Sequence, residues 1–319
     1  MPAEWEPHEA TWLAWPHNRS DWPGRFTPIP WVYGEIVRKL AAVENVRILV
    51  QSAALEKQAR RILEKVGANL DAVEFFPRET NRVWTRDYGP LFVKNVRGDI
   101  ALTAWQFNAW AKYDDWHQDA AIPAFLAERL KLPSFPAGMV LEGGSIDVNG
   151  QGLLLTTEEC LLSPIQARNP HMSREEVEQR LADYLGAARV IWLKTGIAGD
   201  DTHGHVDDLA RFVNPHTVVL CTESDPRDTV TLKRAGLKVV NLPMPGPLWF
   251  DGRQLPASYA NFYVANGLVL VPTFNDPNDR VALAILAKEF KDREVIGIHC
   301  TDFIWGLGAL HCMTQQQPA

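Results

Sequence analysis

The stretch Ile146-Asp147-Val148-Asn149-Gly150-Gln151-Gly152-Leu153-Leu154-Leu155-Thr156 decides the fold class. Its two apolar runs flank a tetrapeptide of hairpin chemistry, because Asn and Gly accept the left-handed backbone that a tight turn needs. Further on, residues 175–185 have helical hydrophobic spacing, and Ser173 with Glu176 three residues later forms a capping-box pattern at the helix start. Arg189-Val190-Ile191-Trp192-Leu193 then supplies a branched, apolar run of strand type. The order is hairpin, helix, strand, and it defines a mixed α/β unit.

The same order recurs along the chain. Leu91-Phe92-Val93-Lys94-Asn95 and Ile100-Ala101-Leu102 flank the turn Val96-Arg97-Gly98-Asp99. In residues 212–222 and 259–273 the turns are Asn214-Pro215-His216 and Asn266-Gly267. Strand-type runs also cover residues 46–50, 72–76, 238–242 and 294–298, and helical spacing covers residues 31–42 and the segment after Pro277-Asn278-Asp279. No clean sequence repeat accompanies this rhythm, so the repetition is expected in structure only. Pro243-Met244-Pro245-Gly246-Pro247 reads as a loop, not a linker, and residues 1–319 are expected to form a single catalytic domain.

At 319 residues the chain can bury a large core without disulfides, and 46% hydrophobic with 22% charged residues is an ordinary globular balance. A net charge of -7 argues against nucleic acid as a partner, since phosphate binding needs concentrated Lys and Arg. It suits a small cationic substrate. The opening Met1-Pro2-Ala3-Glu4-Trp5-Glu6-Pro7 does not read as a signal peptide, and no apolar run approaches the roughly 18 residues of a membrane span, so no membrane partner is expected. Cys160, Cys221, Cys300 and Cys312 form no CxxC pair and read as free thiols in a reducing cytoplasm. The twelve Trp fit either an enclosed site or plain packing.

Four segments carry possible chemistry. Trp305-Gly306-Leu307-Gly308-Ala309-Leu310-His311-Cys312 brings a Gly-rich approach to a cysteine, as a nucleophile needs, although a single Cys is more often a buried small hydrophobe. Gly199-Asp200-Asp201-Thr202-His203-Gly204-His205-Val206-Asp207-Asp208 concentrates carboxylates and imidazoles. In an extended stretch His205 and Asp207 would face one pocket together; a zinc site of His203, His205 and Asp207, or a solvated acidic loop, are the competing readings. Asp87 stands between Trp84 and the Gly89-Pro90 turn, and Glu142 precedes Gly143-Gly144. Either acid alone is an ordinary turn residue. Cys160, Cys221 and Cys300 sit in or beside strand-like runs and default to the core.

Taken together, these segments resemble the agmatine deiminase family, which includes bacterial-type peptidyl-arginine deiminases, within the guanidine-modifying superfamily. The resemblance runs nearly end to end, through Glu4-Trp5-Glu6-Pro7-His8-Glu9, Trp84-Thr85-Arg86-Asp87-Tyr88-Gly89-Pro90, Phe107-Asn108-Ala109-Trp110, Glu142-Gly143-Gly144, Gly204-His205-Val206-Asp207 and His311-Cys312-Met313-Thr314-Gln315-Gln316, in the family's order. It implies a five-fold pseudo-symmetric α/β propeller (pentein) of ββαβ-type units around a central site. It also implies roles. Asp87 and Asp207 would clamp the guanidinium, Glu142 would bind it and orient His205, and Cys312 would attack its carbon. His205 would protonate the departing ammonia and then activate the water that hydrolyses the covalent thiouronium. No cofactor and no metal are implied.

The nucleophile loop departs from the family's usual Gly-Gly-Gly-Asn-Ile-His-Cys at Leu307 and Ala309. The expected substrate is agmatine, giving N-carbamoylputrescine and ammonia, with Asp201 and Trp84 as candidates for the pocket of the far ammonium. Peptidyl or free arginine, an amidinotransferase of the same superfamily, a zinc hydrolase, and a catalytically silent binder are the alternatives. Homo-oligomer formation stays open.

Overall fold

In the computed structural model, which describes residues 1–319, Asn149 closes the hairpin between Asp147–Val148 and Leu153–Thr157. Its side-chain oxygen accepts from the backbone N–H of Gln151 (2.8 Å) and of Leu153 (3.0 Å), and Gly150 and Gly152 take positive φ. The helix Arg174–Leu185 then crosses over, and Arg189–Leu193 pairs parallel to Leu153–Thr157. The capping box at its start is complete: Glu176 N–H donates to Ser173 Oγ (3.2 Å), and Ser173 N–H donates to Glu176 Oε2 (2.7 Å). Val177, Leu181 and Leu185 line one face and pack with Leu154, Met139 and Trp192. Full burial of each such aliphatic contributes roughly 1.5–3 kcal/mol.

The same connectivity, an antiparallel pair followed by a helical crossover to a parallel strand, recurs in every sheet of three or more strands. The chain divides into two compact units, Met1–Glu6 with Arg86–Leu242 and Pro7–Thr85 with Pro243–Ala319. The first unit holds Leu91–Lys94, Ile100–Gln106 and Ser134–Val140, then the sheet of Asn149, then Ala210–Asn214, Thr217–Cys221 and Lys238–Leu242. In the second, Tyr263–Ala265, Leu268–Thr273 and Glu294–His299 repeat the pattern, with Asp279–Glu289 as the crossover helix. A boundary between units falls at the start of the irregular stretch 243–247.

The last sheet is made from both chain ends. His8–Ala14 pairs antiparallel with Gln315–Pro318 and parallel with Asn45–Val50, which in turn pairs with Val73–Pro77. Residues 315–317 are three buried glutamines, a composition that does not advertise a strand. Trp12 Nε1 (2.9 Å) and Arg47 Nη1 (2.7 Å) both donate to Gln317 Oε1, so this amide oxygen is satisfied inside the sheet. The helix Ala53–Val66, capped by Ser52 and ended by Gly67 at φ 73, adds a crossover that hydrophobic spacing did not single out. No helix is long and apolar enough to cross a membrane, and all four cysteines are free.

Candidate active site

Within the first unit, four of the sequence candidates meet around His205, and three of them close on Gly144. A Cβ built there would lie 2.6 Å from His205 Nδ1, 2.8 Å from Asp87 Oδ1 and 3.0 Å from Asp207 Oδ2. Any side chain would push into the cluster, which is why glycine follows Glu142-Gly143. His205 is fully buried: Nδ1 is 3.8 Å from Asp87 Oδ1 and 3.9 Å from Asp207 Oδ1, and Nε2 is 3.8 Å from Glu142 Oε2. These are charge–charge distances, and neither ring nitrogen makes a hydrogen bond. His205 and Asp207 do come together, but through the tight turn Val206–Asp208 and not through the alternation of an extended strand.

Two of the acids, Asp87 and Glu142, are held by donors that sequence reasoning did not assign. Asp87 Oδ2 accepts from Trp110 Nε1 (2.9 Å), and Asp87 Oδ1 accepts from the backbone N–H of Gly144 (3.2 Å). Trp110 sits in a loop where Ala109, Trp110 and Ala111 all have positive φ (49, 59 and 53°), a conformation that costs about 1–2 kcal/mol per non-glycine residue. Glu142 Oε1 accepts from Arg168 Nε at 3.0 Å, both side chains being fully buried. Arg168 also donates to the carbonyls of Gln166 (3.0 Å) and Thr202, so one guanidinium ties Glu142 to the His205 segment. Nothing local in Ala167-Arg168-Asn169-Pro170 signals this, because the partner lies 26 residues away.

Charge follows from this packing. Burial alone would raise the Glu142 carboxyl, but Arg168 and His205 outweigh it and hold it at about 2. Burial likewise opposes a charged His205, yet Asp87, Glu142 and Asp207 outweigh it and raise the imidazole to about 10. Asp87 goes up to about 7, mainly through burial, with Asp207 and Glu142 adding repulsion and His205 opposing. A buried imidazolium among three carboxylates is a pocket built for positive charge and for proton transfer.

Cys312 lies in the second unit, 4% exposed. Asn261, another residue not singled out by sequence, donates from Nδ2 to Cys312 Sγ (3.1 Å). Its Oδ1 accepts from the backbone N–H of His311 (2.9 Å) and of Cys312 (3.3 Å). The loop glycines serve packing: a Cβ on Gly306 would meet the Trp22 indole at 2.5 Å, and one on Gly308 would meet the Trp84 ring at 2.8 Å. Trp84 itself packs at a tilt against Trp22 (ring centroids 5.7 Å apart) and edge-on against Phe303 (6.1 Å). Leu307, which stands where the family usually has glycine, takes φ 68.

The remaining candidates have other partners. Asp201 accepts from Lys112 Nζ and from Tyr113 OH, both at 2.6 Å. His203 bonds Ser163 Oγ at 3.2 Å and faces Glu159 at 3.8 Å.

The family model for the Porphyromonas-type peptidyl-arginine deiminases matches residues 1–318. The chain belongs to that family. An agmatine deiminase of Pseudomonas syringae pv. syringae is 37% identical over 358 aligned positions, covering all of this chain and 95% of that one. Among solved structures, a C. jejuni agmatine deiminase with substrate bound is similar at TM-score 0.90 and 31% identity, over all of this chain and 96% of that one. The agmatine deiminase of Enterococcus faecalis is similar at TM-score 0.90 and 32% identity, over all of this chain and 95% of that one. Solved agmatine deiminases thus share this mixed α/β fold over the whole length of the chain.

Proposed function

We propose that this chain is an agmatine deiminase, hydrolysing the guanidinium C–N bond of agmatine to give N-carbamoylputrescine and ammonia. The observation that carries the reading is the packing of Asp87, Glu142 and Asp207 around His205. A guanidinium is planar and always protonated at neutral pH, and carboxylates in its plane bind the N–H forks and fix the carbon. Cys312 then adds to that carbon as a thiolate, which the Asn261 amide favours by donating to the sulfur. His205, held as imidazolium by its acids, gives its proton to the departing nitrogen, so ammonia leaves and a thiouronium stays on the sulfur. The neutral imidazole next takes a proton from water, hydroxide adds to the carbon, and the C–S bond breaks to release the urea. No cofactor takes part.

The five sheets of like connectivity fit a pentein-type ring, with the two units serving one catalytic domain over residues 1–319. For the far ammonium of agmatine, Asp201 supplies the carboxylate and Trp84 an apolar wall. Asp201 is already paired with Lys112, so the tail shares or displaces that lysine. Asp201→Asn should raise KM for agmatine about tenfold or more at unchanged kcat; an unchanged KM would remove it from the tail site. A cytoplasmic location agrees with four free cysteines.

The deciding assay is ammonia release from agmatine, free arginine and an arginine peptide, with the wild type and Cys312→Ala. Release from agmatine alone, lost in the variant, is the expected result. Release surviving in Cys312→Ala would overturn the covalent mechanism, and release from the peptide instead would move the substrate to peptidyl arginine.

A further inference from the structure

Cys160 is a thiol that the proposed reaction does not use, yet it stands beside the residues that perform it. It lies in the short helix Glu158–Leu162, which Thr157 caps by accepting from Cys160 N–H (3.0 Å) while donating its own hydroxyl to Gly204 O (2.5 Å). Gly204 packs against the same turn: at φ 98, a Cβ there would sit 2.9 Å from Glu159 Cβ and 3.0 Å from Cys160 N. The residue immediately before His205 is therefore pressed onto the Cys160 backbone. As a result the Cys160 sulfur, a Glu142 carboxylate oxygen and a His205 ring nitrogen all lie within 4.8 Å of one another, in fully buried surroundings. Glu142 Oε2 and both His205 nitrogens have no hydrogen-bond partner.

We propose that Glu142, Cys160 and His205 form a binding site for a thiophilic divalent cation of the zinc class, and that filling it switches the enzyme off. One sulfur, one nitrogen and one oxygen are the donor types zinc takes, in a four-coordinate shell with one position left for water. Magnesium and calcium require oxygen shells and do not match. Cys160 binds as thiolate and His205 as neutral imidazole, so two protons pass to solvent as the metal enters. The metal occupies Glu142 and His205 together, so it competes with the guanidinium and removes the proton carrier at once. This regulatory part rests on the deiminase reading; the binding itself does not.

The test separates the two. Metal-free Cys312→Ala protein, which lacks the nucleophilic thiol, is titrated with Co2+ as a spectroscopic substitute for Zn2+. One equivalent should bind with a sulfur-to-cobalt charge-transfer band, and Zn2+ should displace it. In Cys160→Ser/Cys312→Ala and in Cys160→Ala/Cys312→Ala that band should vanish. Absence of the band in Cys312→Ala, or its persistence without Cys160, would overturn the site. With Cys312 present, Zn2+ but not Mg2+ should inhibit agmatine turnover, and Cys160→Ser should raise the inhibitory concentration about tenfold or more. Equal zinc inhibition with and without Cys160 would overturn the regulatory role.

Discussion

The surroundings of His205 and those of Cys312 are held in place by different physics. Around His205 the positions are set by charge: three acids at 3.8–3.9 Å, a buried Arg168 on Glu142, and Trp110 and Gly144 N–H groups on Asp87. Around Cys312 aromatic packing dominates: Trp22, Trp84 and Phe303 fill the space beside Gly306 and Gly308, and the Asn261 amide donates to the sulfur. A charge-built site should fail when one charge is deleted and should respond to pH. A shape-built site should fail when volume is added and tolerate changes that leave the packing alone.

The largest effect expected is from Arg168→Met. Removing the guanidinium breaks a buried ion pair and leaves Glu142 facing only the His205 imidazolium, which costs up to about 3–5 kcal/mol. Denaturant unfolding should show that loss; a change under about 1 kcal/mol would mean Glu142 is not held by charge. The pH response comes next. His205 is raised to about 10 in the folded chain against an unfolded value near 6.5, so its contribution is fully present below about pH 6.5 and fades as pH rises toward 10. The stability gap between wild type and His205→Gln, a few kcal/mol at neutral pH, should therefore narrow across that window. A gap constant with pH would contradict the imidazolium.

Gly144→Ala sharpens the contrast, because it adds volume to the charge-built site. Its methyl meets His205 and Asp87, and turnover should fall about 100-fold or more, while the alkylation rate of Cys312 by iodoacetamide should stay as in the wild type. Equal loss in both measurements would mean that the two regions do not respond separately. The smallest effect is at Leu307, whose φ of 68 is left-handed. Leu307→Gly should stabilise the chain by at most about 1 kcal/mol, the relieved strain being partly offset by unfolded-state entropy, as read from thermal unfolding.

The sequence exposed those parts of the fold whose signals are local. The Asn149 hairpin, the capping box at Ser173 and the branched strands fall where the pattern puts them. The strand Gln315–Pro318 did not, because its run of glutamines does not read as a strand, and the Gln317 amide is held by Trp12 and Arg47, hundreds of residues away in sequence. The site divides in the same way. Asp87, Glu142, His205 and Asp207 stood out by residue type and motif, but Arg168, Trp110 and Asn261 act only through partners distant along the chain. Even the correct pairing of His205 with Asp207 followed from the wrong geometry, since a turn and not a strand brings them together.

The central claim is that Cys312 carries the reaction covalently. Acid-quenching the wild-type enzyme during turnover of agmatine and taking its intact mass tests it most directly. The account predicts an added mass equal to agmatine less ammonia, located on the Cys312 peptide. Rapid ammonia release with no adduct on Cys312 at any quench time, and with equal turnover by Cys312→Ala, would contradict it.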